Sequence, residues 1–113
     1  DALAGIALFL SYLAGSRRTC SQLRKLYPDY SIAKKKILLE PGRNIDMILE
    51  SVRKHFADHP VDERDGMRIE HETGWVHIRK SNTEPIIRIY AEGISFSVAE
   101  SRADEVINIV KKL

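Results

Sequence analysis

The stretch richest in reactive groups is Arg79-Lys80-Ser81-Asn82-Thr83-Glu84-Pro85-Ile86-Ile87-Arg88. It joins two segments that alternate apolar with polar residues. Val76 and Ile78 alternate with Trp75, His77 and Arg79 before it; Ile87, Ile89 and Ala91 alternate with Arg88, Tyr90 and Glu92 after it. Side chains on a strand point to opposite faces with period two, so both arginines fall on the face away from the apolar set. Between them is a short loop with two hydroxyls, an amide side chain and free backbone N–H groups, its exit stiffened by Pro85. Guanidinium forks, hydroxyls and turn amides together suit a tetrahedral dianion such as phosphate. The same residues also fit a polar hairpin whose arginines pair with neighbours such as Glu84 and Glu92. A nucleophile with its base is not evident: Ser81 has no local His, and no Gly-x-Ser-x-Gly elbow occurs.

Other polar groups carry weaker signals. His55 and His59 stand at i, i+4, a metal-compatible spacing, but precede Pro60 with no third ligand nearby and read as a surface pair. His71 and His77 flank a turn, and His77 shares the Arg79 face. Trp75 and Tyr90 on that face read as packing residues. The acidic Asp62-Glu63-Asp65 group lacks calcium-loop spacing and reads as a solvated turn, as Lys34-Lys35-Lys36 reads as a solvated stretch.

Several elements must position the loop. Ile32–Leu39 reads as a strand ending before a Pro41-Gly42 turn. Asn44 can cap a helix to about Phe56, with Ile45, Ile48, Leu49, Val52 and Phe56 on one face. Asp62–Gly66 reads as a turn, and Met67–His71, Trp75–Arg79 and Pro85 onward as three strands joined by short connections, hence antiparallel. Ser97-Val98-Ala99-Glu100 reads as a capping box for a last helix with Ala99, Ala103, Val106, Ile107, Val110 and Leu113 inward. The expected fold class is α+β: a four-stranded antiparallel sheet with two helices on one face, over about residues 30–113.

Residues 1–29 differ. Asp1–Ala14 is almost wholly apolar, shorter than the roughly 20 residues of a membrane span and without a basic flank, so the stretch reads as a helix buried elsewhere in a larger protein, leaving an exposed apolar patch. Gly15 is a candidate helix C-cap, and Thr19-Cys20-Ser21-Gln22 a capping box for a short helix stopped by Pro28. The 113 residues carry 18 Lys+Arg against 16 Asp+Glu and are 43% hydrophobic. This composition is globular; without a basic stripe it argues against a nucleic-acid partner, and the apolar start needs no membrane. The single Cys20 excludes an internal disulfide and fits a reducing, cytoplasmic setting.

Gly74–Gly93, GWVHIRKSNTEPIIRIYAEG, closely resembles the phosphate-binding segment of the α-D-phosphohexomutases, the phosphoglucomutase/phosphomannomutase superfamily. Asp65-Gly66 and Ala103-Asp104-Glu105-Val106 resemble its flanking motifs, and Asp1-Ala2-Leu3 and Leu23–Pro28 the end of its third domain. The resemblance implies a TATA-binding-protein-like fourth domain at residues 30–113, preceded by a helical remnant of the third at residues 1–29. It implies that Arg79, Ser81, Asn82, Thr83 and Arg88 grip substrate phosphate, with Glu84 and Pro85 shaping the loop. Asn82 favours the phosphoglucomutase/phosphomannomutase branch over phosphoglucosamine mutase, in which Gly is usual. The family moves a phosphoryl group between C1 and C6 of a hexose phosphate through a 1,6-bisphosphate, using a phosphoserine and Mg²⁺. The phosphoserine, metal and sugar loops are absent from these 113 residues, so no catalytic or metal residue is expected here. The chain alone is expected to be inactive and to work with the domains it lacks. The contrasting expectation is a non-catalytic interaction module.

Overall fold

The computed structural model describes residues 1–40 and 42–113; the Pro41 half of the expected Pro41-Gly42 turn lies outside them. The elements are α1 (Ala2–Ser16), α2 (Cys20–Arg24), β1 (Ser31–Leu38), α3 (Ile45–His55), β2 (Val61–Asp62), β3 (Met67–His71), β4 (Gly74–Lys80), β5 (Ile86–Gly93) and α4 (Phe96–Lys111). Among the described residues the strands form one antiparallel sheet, in the order β1-β5-β4-β3-β2.

The α+β class holds, but the sheet has five strands among the described residues, not four. The extra strand is β2, which pairs Val61 with Ile69 and Asp62 with Arg68 at the sheet edge. Two residues are too few to show a period, and Asp62 sits inside the segment expected to be a turn. Its carboxylate accepts from the Arg64 amide and side chain, which closes the turn and holds the carboxyl down at about 2.

Alternation places the core as the pattern requires. Ala33, Met67, Ile69, Val76, Ile78, Ile87, Ile89 and Ala91 point to one face and are buried. Ile48, Val52 and Phe56 from the α3 segment and Ala99, Ala103, Val106 and Val110 from α4 close over them. Asn44 caps α3, its side chain accepting from the Asp46 and Met47 amides. The α4 cap is Ser95, not Ser97: its hydroxyl accepts from the Val98 amide, and Ser97 bonds back to Ser95. The strand forces this early start. A Cβ on Gly93 would stand 2.8 Å from Val98 and 2.9 Å from the Ala99 amide, so the helix begins hard against the end of β5. Leu113 lies beyond the helix end and is exposed, not inward.

The chain before β1 packs differently. No residue of α1 is buried, and Leu3, Ile6, Leu8, Phe9, Leu10 and Tyr12 are exposed, which gives the expected apolar patch. Among the described residues no helix is long and apolar enough to cross a membrane. Gly15 stays helical; Arg17 takes the left-handed C-cap position while the Ser16 hydroxyl donates to the Leu13 carbonyl. Thr19 and Gln22 form the expected capping box.

Arg102 ties α4 to the sheet. It donates to the Glu92 carbonyl at 2.6 Å and to the carbonyl and hydroxyl of Thr73 at 2.9 and 3.1 Å. Gly74 makes the approach possible: its φ is +130°, and a Cβ there would strike the Glu92 carbonyl and stand 2.6 Å from Arg102. Gly74→Ala is expected to destabilise the fold by roughly 3 kcal/mol, and Arg102→Ala by about 2 kcal/mol, in urea unfolding.

His59 does not form the expected surface pair with His55; it turns to His71. The rings of His59 and His71 meet edge-on at 4.8 Å beside Phe56, leaving His59 Nδ1 and His71 Nε2 buried without partners, while His55 contacts Glu105. Burial, then Arg102 and His59, lower the His71 pKa from 6.5, against weaker opposite effects of Glu105 and Glu70. Below that value the unfolded chain takes up a proton that the folded chain resists, so stability falls as pH drops. The melting temperature is expected to drop between about pH 7.5 and about pH 5.5, and His71→Phe to flatten that drop.

Candidate functional site

The two arginines meet through strand register. Arg79 on β4 is the direct cross-strand partner of Arg88 on β5, on the sheet face away from the helices. Like charges placed opposite one another repel, so this pair is unfavourable for the bare sheet. Two carboxylates relieve it: Asp65 lies 3.3 Å from Arg79, and Glu84 lies 3.8 Å from Arg88. The polar-hairpin expectation is thus right for Glu84. It is wrong for Glu92, which has no ion pair among the described residues; the carboxylate beside Arg79 is that of Asp65, from the preceding turn.

The loop between the arginines is held at its ends and open in the middle. The Ser81 amide donates to the Ile86 carbonyl at 3.0 Å, the Ile86 amide to the Glu84 carbonyl at 2.8 Å, and the Leu39 amide to the Pro85 carbonyl at 2.8 Å. Ser81 is buried, at 7% exposure, and its hydroxyl lies 3.5 Å from that of Thr83. The amides of Asn82, Thr83 and Glu84 meet no acceptor among the described residues, and the side chains of Asn82 and Thr83 are exposed. Two hydroxyls and three successive free amides therefore lie on the loop, between the strand ends that carry the two guanidinium groups. That set can receive an anion with several oxygens. Pro85 follows the open segment and supplies its carbonyl to Leu39, so it anchors the exit of the loop.

A second loop supports the first. His77 Nε2 lies 2.6 Å from the Asp65 carbonyl, which can only accept, so the ring carries its proton on Nε2 and donates it. Gly66 follows with φ +72°, and a Cβ there would strike the Ile78 carbonyl. The His bond and the glycine press the Asp65 turn onto β4 and bring its carboxylate to Arg79. Trp75 lies under the Arg68 guanidinium, 5.0 Å from its centre, and is a packing residue as expected.

The lysine run is split by the pleat. Lys35 points toward α4 and bonds Asp104 at 2.7 Å, with Glu100 at 3.4 Å. Lys34 and Lys36 point to the open face, opposite Tyr90 and Arg88. Asp65 and Lys36 are the residues near the arginines that sequence reasoning missed. Parity was available for Lys36, since it is out of phase with Ala33 and Ile37; Asp65 needed the tertiary path of its turn.

Comparison with known proteins shows the family of the chain. Residues 34–109 match the family described as phosphoglucomutase/phosphomannomutase, C-terminal domain. The chain is 33% identical over 113 residues to a phosphoglucosamine/phosphogalactosamine mutase of Sulfurisphaera tokodaii, covering 98% of this chain and 25% of the relative. It is 31% identical to a probable phosphoglucosamine mutase of Methanopyrus kandleri, covering 99% of the chain and 25% of the relative. It is also 31% identical to a phosphoglucomutase/phosphomannomutase of Thermococcus kodakarensis, covering 100% and 24%. The chain thus spans about a quarter of the length of these curated relatives. With a family match over residues 34–109 and relatives aligned along nearly the whole chain, the chain belongs to the phosphoglucomutase/phosphomannomutase family and corresponds to its C-terminal part.

Proposed function

We propose that residues 30–113 are the phosphate-gripping lid of a phosphohexomutase, and that residues 1–29 are the end of the domain before it. The observation that carries the lid reading is the facing Arg79–Arg88 pair beside the free amides of Asn82, Thr83 and Glu84. In this reading Arg79, Arg88 and the hydroxyls of Ser81 and Thr83 hold one phosphate of a hexose phosphate, and Asn82 borders it. A grip that reads phosphate and not sugar accepts either end of a hexose 1,6-bisphosphate, which a reaction exchanging C1 and C6 phosphates requires. The domain division is supported by the family match starting at residue 34 while the relatives align over nearly the whole chain. It also gives the apolar side chains of α1 a partner, the rest of the preceding domain.

Phosphoryl transfer depends on positioning and charge stabilisation, and this chain supplies positioning. Among the described residues no group of three His, Cys, Asp or Glu side chains is placed to hold a metal ion. In our reading the metal and the phosphoserine belong to the remainder of a longer protein. The free, exposed Cys20 suits a cytoplasmic setting for that protein.

The sugar has two candidates. Asn82 supports glucose or mannose phosphate, and the names of the Sulfurisphaera and Methanopyrus relatives support an amino-sugar phosphate. Comparison of kcat/KM for glucose, mannose and glucosamine phosphates in the full-length protein separates them.

Titration of the chain with glucose 1-phosphate, followed by amide NMR, is expected to shift Ser81–Thr83, and Arg88→Ala to weaken binding about tenfold or more. Absence of shifts at tens of millimolar ligand would favour the interaction module instead. The chain alone is expected to give no interconversion of glucose 1-phosphate and glucose 6-phosphate in a coupled assay; turnover would overturn the division of labour proposed here.

A further inference from the structure

The open face of the sheet carries more positive charge than the loop motif contains. Register across three neighbouring strands aligns Lys36 on β1 with Arg88 on β5, and Arg88 with Arg79 on β4. The three cations form one row across the sheet, at the end of the strands that bears the loop. Directly opposed residues on a sheet face have Cβ atoms about 5 Å apart, so Lys36 stands beside Arg88 as closely as Arg79 does. Arg79 and Arg88 each have a carboxylate neighbour, Asp65 and Glu84. Lys36 has no ion pair among the described residues. A shallow groove of about 340 Å³ runs along this part of the face, bordered by Lys34, Lys36, Glu84, Arg88 and Tyr90. A larger groove, beside α3, is bordered by Asp46, Glu50, Glu63 and Arg53 and offers an anion a net repulsive wall.

We infer that Lys36 is a third phosphate ligand: its ammonium completes a cradle whose other members are Arg88, Arg79 and the loop amides. This rests on the lid reading and extends it to β1, outside the loop motif. A row of three cations with two carboxylates leaves one uncompensated positive charge, and a bound dianion relieves the repulsion along the row. The chemistry suits a flexible ammonium. The arginine forks fix the orientation of the phosphate oxygens, while a lysine supplies a movable point charge to whichever oxygen faces β1.

Lys34 supplies the control. It lies on the same strand and the same face, two residues from Lys36, but its ammonium sits 5.7 Å from the centre of the Tyr90 ring, in the next row. Both lysines border the groove and removing either changes net charge equally, but only Lys36 stands directly opposite Arg88. All variants are compared in the NMR titration of the chain with glucose 1-phosphate, with neutral glucose as reference. Both lysines are exposed, and matching amide spectra of the free variants verify the fold.

Lys36→Gln is expected to raise the Kd for glucose 1-phosphate about fivefold to tenfold, Lys36→Arg to restore most of it, and Lys34→Gln to change it by less than about twofold. Equal weakening by Lys34→Gln and Lys36→Gln would overturn the inference in favour of diffuse charge. A Lys36→Gln Kd within about twofold of the parent, with Arg88→Ala still impaired, would overturn the inference and leave the lid reading standing. If Arg88→Ala also binds normally, both fall together.

Discussion

The register of β4 against β5 is the constraint on which the rest depends. One alignment sets Ile78 against Ile89 and Val76 against Ala91 under the helices, and the same alignment sets Arg79 against Arg88 on the far side. The period of a strand is two, so a slip of one residue would bury the arginines and expose the isoleucines. The apolar side therefore enforces what the polar side would resist. Two guanidinium groups would not choose to face one another; the buried isoleucine ladder holds them there. The strain of the polar face and the stability of the core are two readings of one hydrogen-bonding pattern.

Where a residue's role follows from period or from a local hydrogen bond, the sequence shows it. The alternation in Trp75–Arg79 and Ile87–Glu92 places every inward residue correctly, and Asn44 and Thr19 cap the helices that their spacing marks. The loop residues are legible for the same reason, since the arginines sit at fixed parity on strands joined by a short turn. What escapes is tertiary. Strand β2 has two residues and no period of its own, so only its pairing with β3 reveals it. Ser95 outcompetes Ser97 as a cap because Gly93 lets α4 start against the strand. His59 turns to His71 and not to His55 because the chain doubles back beside Phe56.

The carboxylates show how the fold manages a site built from like charges. Asp65 and Glu84 lie near enough to mask the arginines in the free protein, yet both pairs are half-exposed and neither carboxylate is locked in place by a short bond to its arginine. Exposed ion pairs of this kind are weak. They temper the repulsion without committing the guanidinium groups, which stay available to a stronger anion. Asp65 differs from Glu84 in how it is held: its own backbone is fixed by His77 and by the close seat of Gly66. The turn before β3 is thereby part of the site although it lies about a dozen residues upstream.

The loop from Ser81 to Pro85 is bonded to β5 at one end and to the residue after β1 at the other, while its central amides point at nothing. Such a loop has spent its conformational freedom during folding, and a ligand that docks there has little disorder left to quench. Shape then joins charge as a criterion. If the loop receives phosphate as proposed, free amides bordered by cations select a ligand by the directions in which its acceptor oxygens point. On that reading a tetrahedral oxyanion meets the set on more sides than a flat carboxylate or nitrate does. In the proposed lid reading, the anchoring of the loop adds a stereochemical criterion to a crowd of positive charge.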